Sequence, residues 1–147
     1  MLMIDRFKGL FPTVARIKRV ASEGVYWELY DSSDTLIGYG FYAEVPETRL
    51  DIPDAEEFDK YEVTGIVDLN YKITALDITQ HPDRTEPLWA PGIIEPEFEK
   101  LYLGLSAETI RLSPEGKIDA ITEATISSKL ITEAVRNRVE DIMKGPR

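Results

Sequence analysis

Five hydroxyls crowd one short stretch, KIDAITEATISSKLITEAV at residues 117–135: Thr122, Thr125, Ser127, Ser128 and Thr132. An amphipathic helix begins there, and one hydroxyl is enough to start it. Thr122 can act as N-cap, its side-chain oxygen accepting a bond from a backbone N–H two or three residues on. Ser127, Ser128 and Thr132 then read as ordinary residues of the polar face. The spacing allows a second reading. Thr122, Thr125 and Ser128 recur every three residues, along one side of the first turns. The first N–H groups of a helix are unpaired, and its dipole places partial positive charge there, so phosphate binds readily. Amide and hydroxyl donors together make a phosphate seat.

The elements that must position this seat can be read from the same chain. The final helix, residues 124–143, keeps an apolar stripe through Ile126, Leu130, Ala134, Val139 and Ile142, widened by Ile131 and Val135. Ahead of it, VYWELY (25–30) and TLIGYGFYAEV (35–45) read as a hairpin around the turn cluster DSSD (31–34). Gly38 and Gly40 mark a bulge or a close backbone approach in its second strand. YEVTGIVD (61–68) and YKITALDITQ (71–80) form a second hairpin around Leu69-Asn70.

Residues 1–10 read as a short helix ended before Pro12, and EPEFEKLYLGL (95–105) as another that ends at Gly104. Short strands are expected at 108–113 and 116–121, around Pro114-Glu115. ETRLDIPDAEEFDK (47–60) reads as an exposed acidic loop, and HPDRTEPLWAPGIIEPEF (81–98) as a long irregular one of the kind that more often serves function. Strands first, then helices, predict one α+β domain over residues 1–147. Its sheet is twisted and mostly antiparallel, and the C-terminal helix and a shorter helix pack on it.

DAITEAT (119–125) resembles the motif D-x-x-[ST]-G-A-[TS] of the FMN-binding domain family. That domain occurs in flavin-carrying subunits of Rnf-type and sodium-pumping NADH:quinone oxidoreductase complexes. Asp119, Thr122, Ala124 and Thr125 match the motif. Upstream, His81 follows a strand as in the family, and RTEPLW (84–89) is similar to the family's loop through Thr85 and Leu88. EPEFEKLYLG (95–104) is similar to its proline-containing helix with a buried Phe, and SPEGKIDAIT (113–122) to its lead into the motif. The similarity runs from about residue 61 to 140, and more loosely over 25–45.

The resemblance implies FMN joined through its phosphate to Thr125 by a flavin transferase, with Trp89 able to lie against the flavin ring. Two positions depart from the pattern. Glu123 stands where the family has glycine, and Glu86-Pro87 replaces a Pro-Gly pair. The implied function is an FMN-binding electron-transfer module, with the flavin covalent or noncovalent. The other class left open is a flavin-less relative acting as a binding or scaffold domain. In the first, the redox chemistry belongs to the cofactor, so no side chain need act as acid or base. Separately encoded redox proteins are the expected partners.

Composition excludes several other classes. The chain has 147 residues, with 17 basic and 27 acidic side chains and a formal net charge of −10. A nucleic-acid surface needs a basic stripe, so none is expected. Without cysteine, disulfides, iron–sulfur clusters and thiolate zinc sites are ruled out. His81 is the single histidine, which excludes a histidine-rich metal site. A triad of His81 with Ser127 or Ser128 lacks any nucleophile-elbow sequence. Asp54, Glu56, Glu57 and Asp59 miss the EF-hand spacing and read as a solvated acidic loop.

No apolar run approaches the roughly 20 residues of a membrane span. Asp5, Arg6 and Lys8 interrupt anything like a signal peptide. Members of the family are usually anchored to a membrane; this chain is expected to be cytoplasmic or peripherally attached. The basic arm of residues 1–20 (Arg6, Lys8, Arg16, Lys18 and Arg19 against Asp5) reads as a solvated segment packed on an acidic body, or as a contact to an anionic membrane.

Overall fold

The computed structural model describes residues 2–46, 60–81, 96–120 and 125–146. The acidic loop, most of the irregular loop, and Thr122, Glu123 and Ala124 of the motif lie outside them. The described elements run in the order α1 (Met3–Leu10), β1 (Arg16–Ala21), β2 (Val25–Tyr30), β3 (Leu36–Pro46), β4 (Lys60–Val67), β5 (Ile73–His81), α2 (Pro96–Lys100) and α3 (Thr125–Lys144). The five strands form one antiparallel sheet in chain order, so every strand-to-strand connection joins neighbours. This is the α+β architecture the sequence predicts.

Two turns repeat one device. In the β2–β3 turn, Asp31 Oδ1 accepts the N–H groups of Ser33 at 2.9 Å and Thr35 at 3.0 Å. In the β4–β5 turn, Asp68 Oδ1 accepts those of Asn70 at 2.8 Å and Lys72 at 3.1 Å. Each turn then passes through a left-handed residue, Asp34 and Tyr71, both at φ 62°. A short carboxylate that satisfies its own turn amides is the local reason both hairpins form.

Alternation along the strands sends side chains to opposite faces. Phe41, Ala43 and Val45 of β3 and Tyr61, Val63 and Val67 of β4 pack with Ile131, Val135, Val139 and Ile142 of α3. Ile66 of β4 and Leu29 of β2 face the other way and pack with Phe7 of α1 and Val14. The Phe7 ring lies against Gly40, where any side chain would collide with it. That is the close approach the β3 glycines signal.

Three expectations are corrected. The basic arm is not all arm: residues 16–21 are strand β1, paired with β2 from Arg16↔Tyr30 to Ala21↔Val25. Only Ile17 and Val20 are partly covered, and charges on an edge strand mask the alternation. The strands expected at 108–113 and 116–121 reduce to one bridge, Leu112↔Ile118. Residues 106–110 form a turn instead. The amides of Thr109 and Ile110 bond to the Ser106 carbonyl, and Thr109 Oγ1 accepts the Ser106 N–H. Ile110 and Ile118 are still fully buried, so their β-branched chains serve packing and not a ladder.

The third correction concerns α3. Its buried line is Ser128, Ile131, Thr132, Val135, Val139 and Ile142, while Leu130 and Ala134 are only partly covered. The helix is rotated from the expected stripe, and two hydroxyls assigned to the polar face point into the protein. The side chain of Ile126 lies outside the described residues.

Candidate functional site

Helix α3 starts on Thr125, and its first turn, Thr125-Ile126-Ser127-Ser128, has no acidic residue. Twenty residues of aligned peptide units place partial positive charge at that start, and the first amides lack partners within the helix. Tertiary packing fixes where this end sits. The Thr132 hydroxyl donates to the Ser128 carbonyl at 2.7 Å, and the Tyr102 hydroxyl lies 2.9 Å from Thr132 Oγ1. Burial pushes the Tyr102 phenol well above its ordinary range, so it stays a neutral hydrogen-bonding group.

Tyr102 in turn is held by the segment after α2. Gly104, at φ 82°, donates its N–H to the Ile73 carbonyl at 2.7 Å, and Leu105 accepts from the Ile73 N–H at 3.0 Å. The chain from α2 is thus clipped to the start of β5, and through Tyr102 it locks the second turn of α3. Phe98 is buried and meets Tyr102 edge-on at 5.4 Å.

The residues singled out from the sequence separate as follows. Thr125 is the first residue of α3 and Asp119 is exposed in the lead to it. Ser128 is fully buried in the helix's inner line. His81 ends β5, paired with Lys60 across the sheet. The side chains of Thr125 and His81, and all of Thr122, Ala124, Thr85, Leu88 and Trp89, lie outside the described residues.

Two features escaped the sequence. A cleft of about 390 Å³ lies between the 111–115 turn and α3, with Arg111, Lys129 and Arg136 in its lining. Lys129 follows Thr125 by one helical turn. Helical spacing of Lys129, Thr132, Glu133 and Arg136 was the available signal, but it needed the 111–115 turn on the opposite wall. The second is Glu99, which borders a hollow of about 240 Å³ with Leu10, Ala75 and Leu103. Burial pushes its carboxyl up to about 7, the charge of Asp77 adds to the rise, and a hydrogen bond to the Ile78 backbone opposes it. Nothing in PEFEK distinguishes this glutamate from its exposed neighbour Glu97.

Residues 59–140 match the family model of the FMN-binding domain. The matched segment covers β4, β5, α2, the 106–120 turns and most of α3. The chain belongs to the FMN-binding domain family. Its cofactor is FMN. Comparison with curated proteins gives no match.

Lys129, one turn after Thr125, with Arg111 and Arg136 in the adjoining cleft, is donor chemistry suited to an anionic phosphate, so the described residues are chemically compatible with FMN. In this FMN-binding domain, no described helix is long and apolar enough to cross a membrane. The described residues contain no cluster of three or more His, Asp or Glu able to hold a metal ion.

Proposed function

We propose that this FMN-binding domain is an electron-transfer module whose flavin sits at the N-terminus of α3, with Thr125 as its point of covalent attachment. One observation supports the reading: Thr125, which matches the motif's acceptor, is the first described residue of α3. FMN, when bound, supplies one- or two-electron redox chemistry. The chain's own part is to hold and orient. The helix start offers unpaired amides and a favourable dipole, together about 1 kcal/mol for an anion. The Ser128–Thr132–Tyr102 network keeps that end in place.

Asp119, Thr122 and Ala124 complete the motif around it, while His81, Thr85, Leu88 and Trp89 belong to the upstream segment proposed to cover the flavin. Attachment joins the Thr125 oxygen to the phosphorus of the FMN half of FAD. The AMP half leaves, and the hydroxyl proton passes to the flavin transferase. The domain would exchange electrons with separately encoded redox proteins, in the cytoplasm or at a membrane periphery. A net charge of −10 favours basic partners.

The test is co-expression with a flavin transferase, followed by a denaturing gel viewed under ultraviolet light. A fluorescent band is expected, lost in Thr125→Ala and kept in Thr122→Ala. A dark band with a yellow native protein would overturn covalent attachment. If Glu123→Gly then restores the band, the glutamate is the cause.

A further inference from the structure

The cleft between the 111–115 turn and α3 has features of a built anion site. The turn wall is closed on itself by backbone bonds that do not involve the side chain of Arg111. The Ser113 N–H donates to the Ile118 carbonyl at 2.8 Å, and the Ile118 N–H to the Arg111 carbonyl at 3.0 Å. Gly116 makes this possible, because any side chain there would collide with the Arg111 backbone.

On the opposite wall, Arg136 Nη1 donates to the Ile110 carbonyl at 3.3 Å and its Nε lies 3.9 Å from Glu140. The guanidinium is therefore fixed across the two walls, and its five N–H donors exceed what those contacts use. Arg111 and Lys129 are exposed at the rim and free to close on a ligand. Three cations and two carboxylates, Glu115 and Glu133, line the cleft, and Glu140 pairs with Arg136 from outside it. Solvated surface cations spread apart under their own repulsion; here two elements bring them into one concavity. At about 390 Å³ the cleft is in the lower range of small-ligand sites.

We infer that this cleft binds a phosphoryl group of a nucleotide, with Arg136 as the fixed donor and Arg111, Lys129 and the Ser113 hydroxyl completing the seat. The source is a free nucleotide, because FMN carries one phosphate and the function proposed above joins it to Thr125, outside this seat. Only the ligand class is taken from the function proposed above. A seat of side chains one to three turns along the helix is separate from attachment at its first residue.

Inorganic pyrophosphate is the probe, titrated calorimetrically into the full chain freed of flavin. Saturable 1:1 binding is expected, weakening as salt is added and falling at least tenfold in the double variant Arg111→Gln, Lys129→Gln. Both side chains are exposed, so that variant keeps its fold, which circular dichroism checks. Thr125→Ala should bind as the unsubstituted chain does. Absence of saturable binding, or binding unchanged in the double variant, overturns the seat. Repeating the titration on FMN-loaded protein separates the sources: retained binding is expected, and lost binding would give the seat to the flavin's own phosphate and overturn a free-nucleotide site. A chain that binds pyrophosphate but never FMN keeps this seat and rejects the flavin module. One that loads FMN and ignores pyrophosphate does the reverse.

Discussion

On the α3 face of the sheet, Phe41, Val63, Ile131 and Val135 are fully buried, and the Tyr102 and Thr132 hydroxyls beside them are neutral and bonded to each other. On the α1 face, charge enters the packing. Arg6 Nη2 meets Glu62 Oε1 at 3.0 Å, the Tyr42 hydroxyl donates to the same oxygen at 2.7 Å, and the guanidinium lies 4.9 Å from the Tyr42 ring centroid. Asp77, pushed up by burial, feels Arg6 and Glu62, and Glu99 feels Asp77. The α3 face therefore holds its shape across a wide pH range, while the α1 face responds to protons. The seat proposed at the start of α3 would lie on the insensitive side.

Three measurements would break or sharpen that contrast. The largest effect is expected from Phe41→Ala, which empties a ring that packs over Gly65 in the middle of the α3 face. Urea unfolding should lose about 3–5 kcal/mol, as aromatic core truncations do. A loss below about 1 kcal/mol would mean that α3 is loosely docked.

Thr132→Val keeps shape and removes the hydroxyl between Tyr102 and Ser128. It should cost about 1–3 kcal/mol, the penalty for an unsatisfied buried polar group. In flavin-loaded protein, amides of the first two turns of α3 should also exchange faster. Unchanged exchange would separate this network from the helix start.

The smallest effect lies on the α1 face and appears as a slope. The Glu99 carboxyl is raised in the folded state, so the fold binds its proton more tightly than the unfolded chain does. Its stabilising contribution is present below the ordinary carboxylate pKa and is lost as pH rises to about 7. Glu99→Gln should flatten the decline in stability between about pH 4.5 and pH 7 and leave the plateau below it unchanged. A decline that persists unaltered would assign the pH response to Asp77 or another group.

Both hairpins and the terminal helix were legible because their signals are local. Asp31 and Asp68 bond amides two and four residues away, and Ile131, Val135, Val139 and Ile142 repeat at helical spacing. Strand β1 was not, because RIKRVA only partly covers two side chains and holds its place by pairing with β2. The turn at 106–110 was misread for the opposite reason. Ile110 and Ile118 have the branched side chains of strand residues, but short-range bonds to Ser106 capture the amides of 109 and 110.

By itself the sequence determined the class of fold, the place of the flavin motif before the last helix and the family to which residues 59–140 belong. Those depend on residue types at fixed short separations, which a linear chain displays directly. Tertiary structure alone decided which way α3 is turned, and so that Ser128 and Thr132 point into the protein. It also decided that Arg136 reaches the Ile110 carbonyl, 26 residues back along the chain, to close one side of a cationic cleft. Burial pushes one glutamate of PEFEK up to about 7 for the same reason. Each is a product of contacts between distant segments, and their energies exist only once the sheet, α2 and α3 have met.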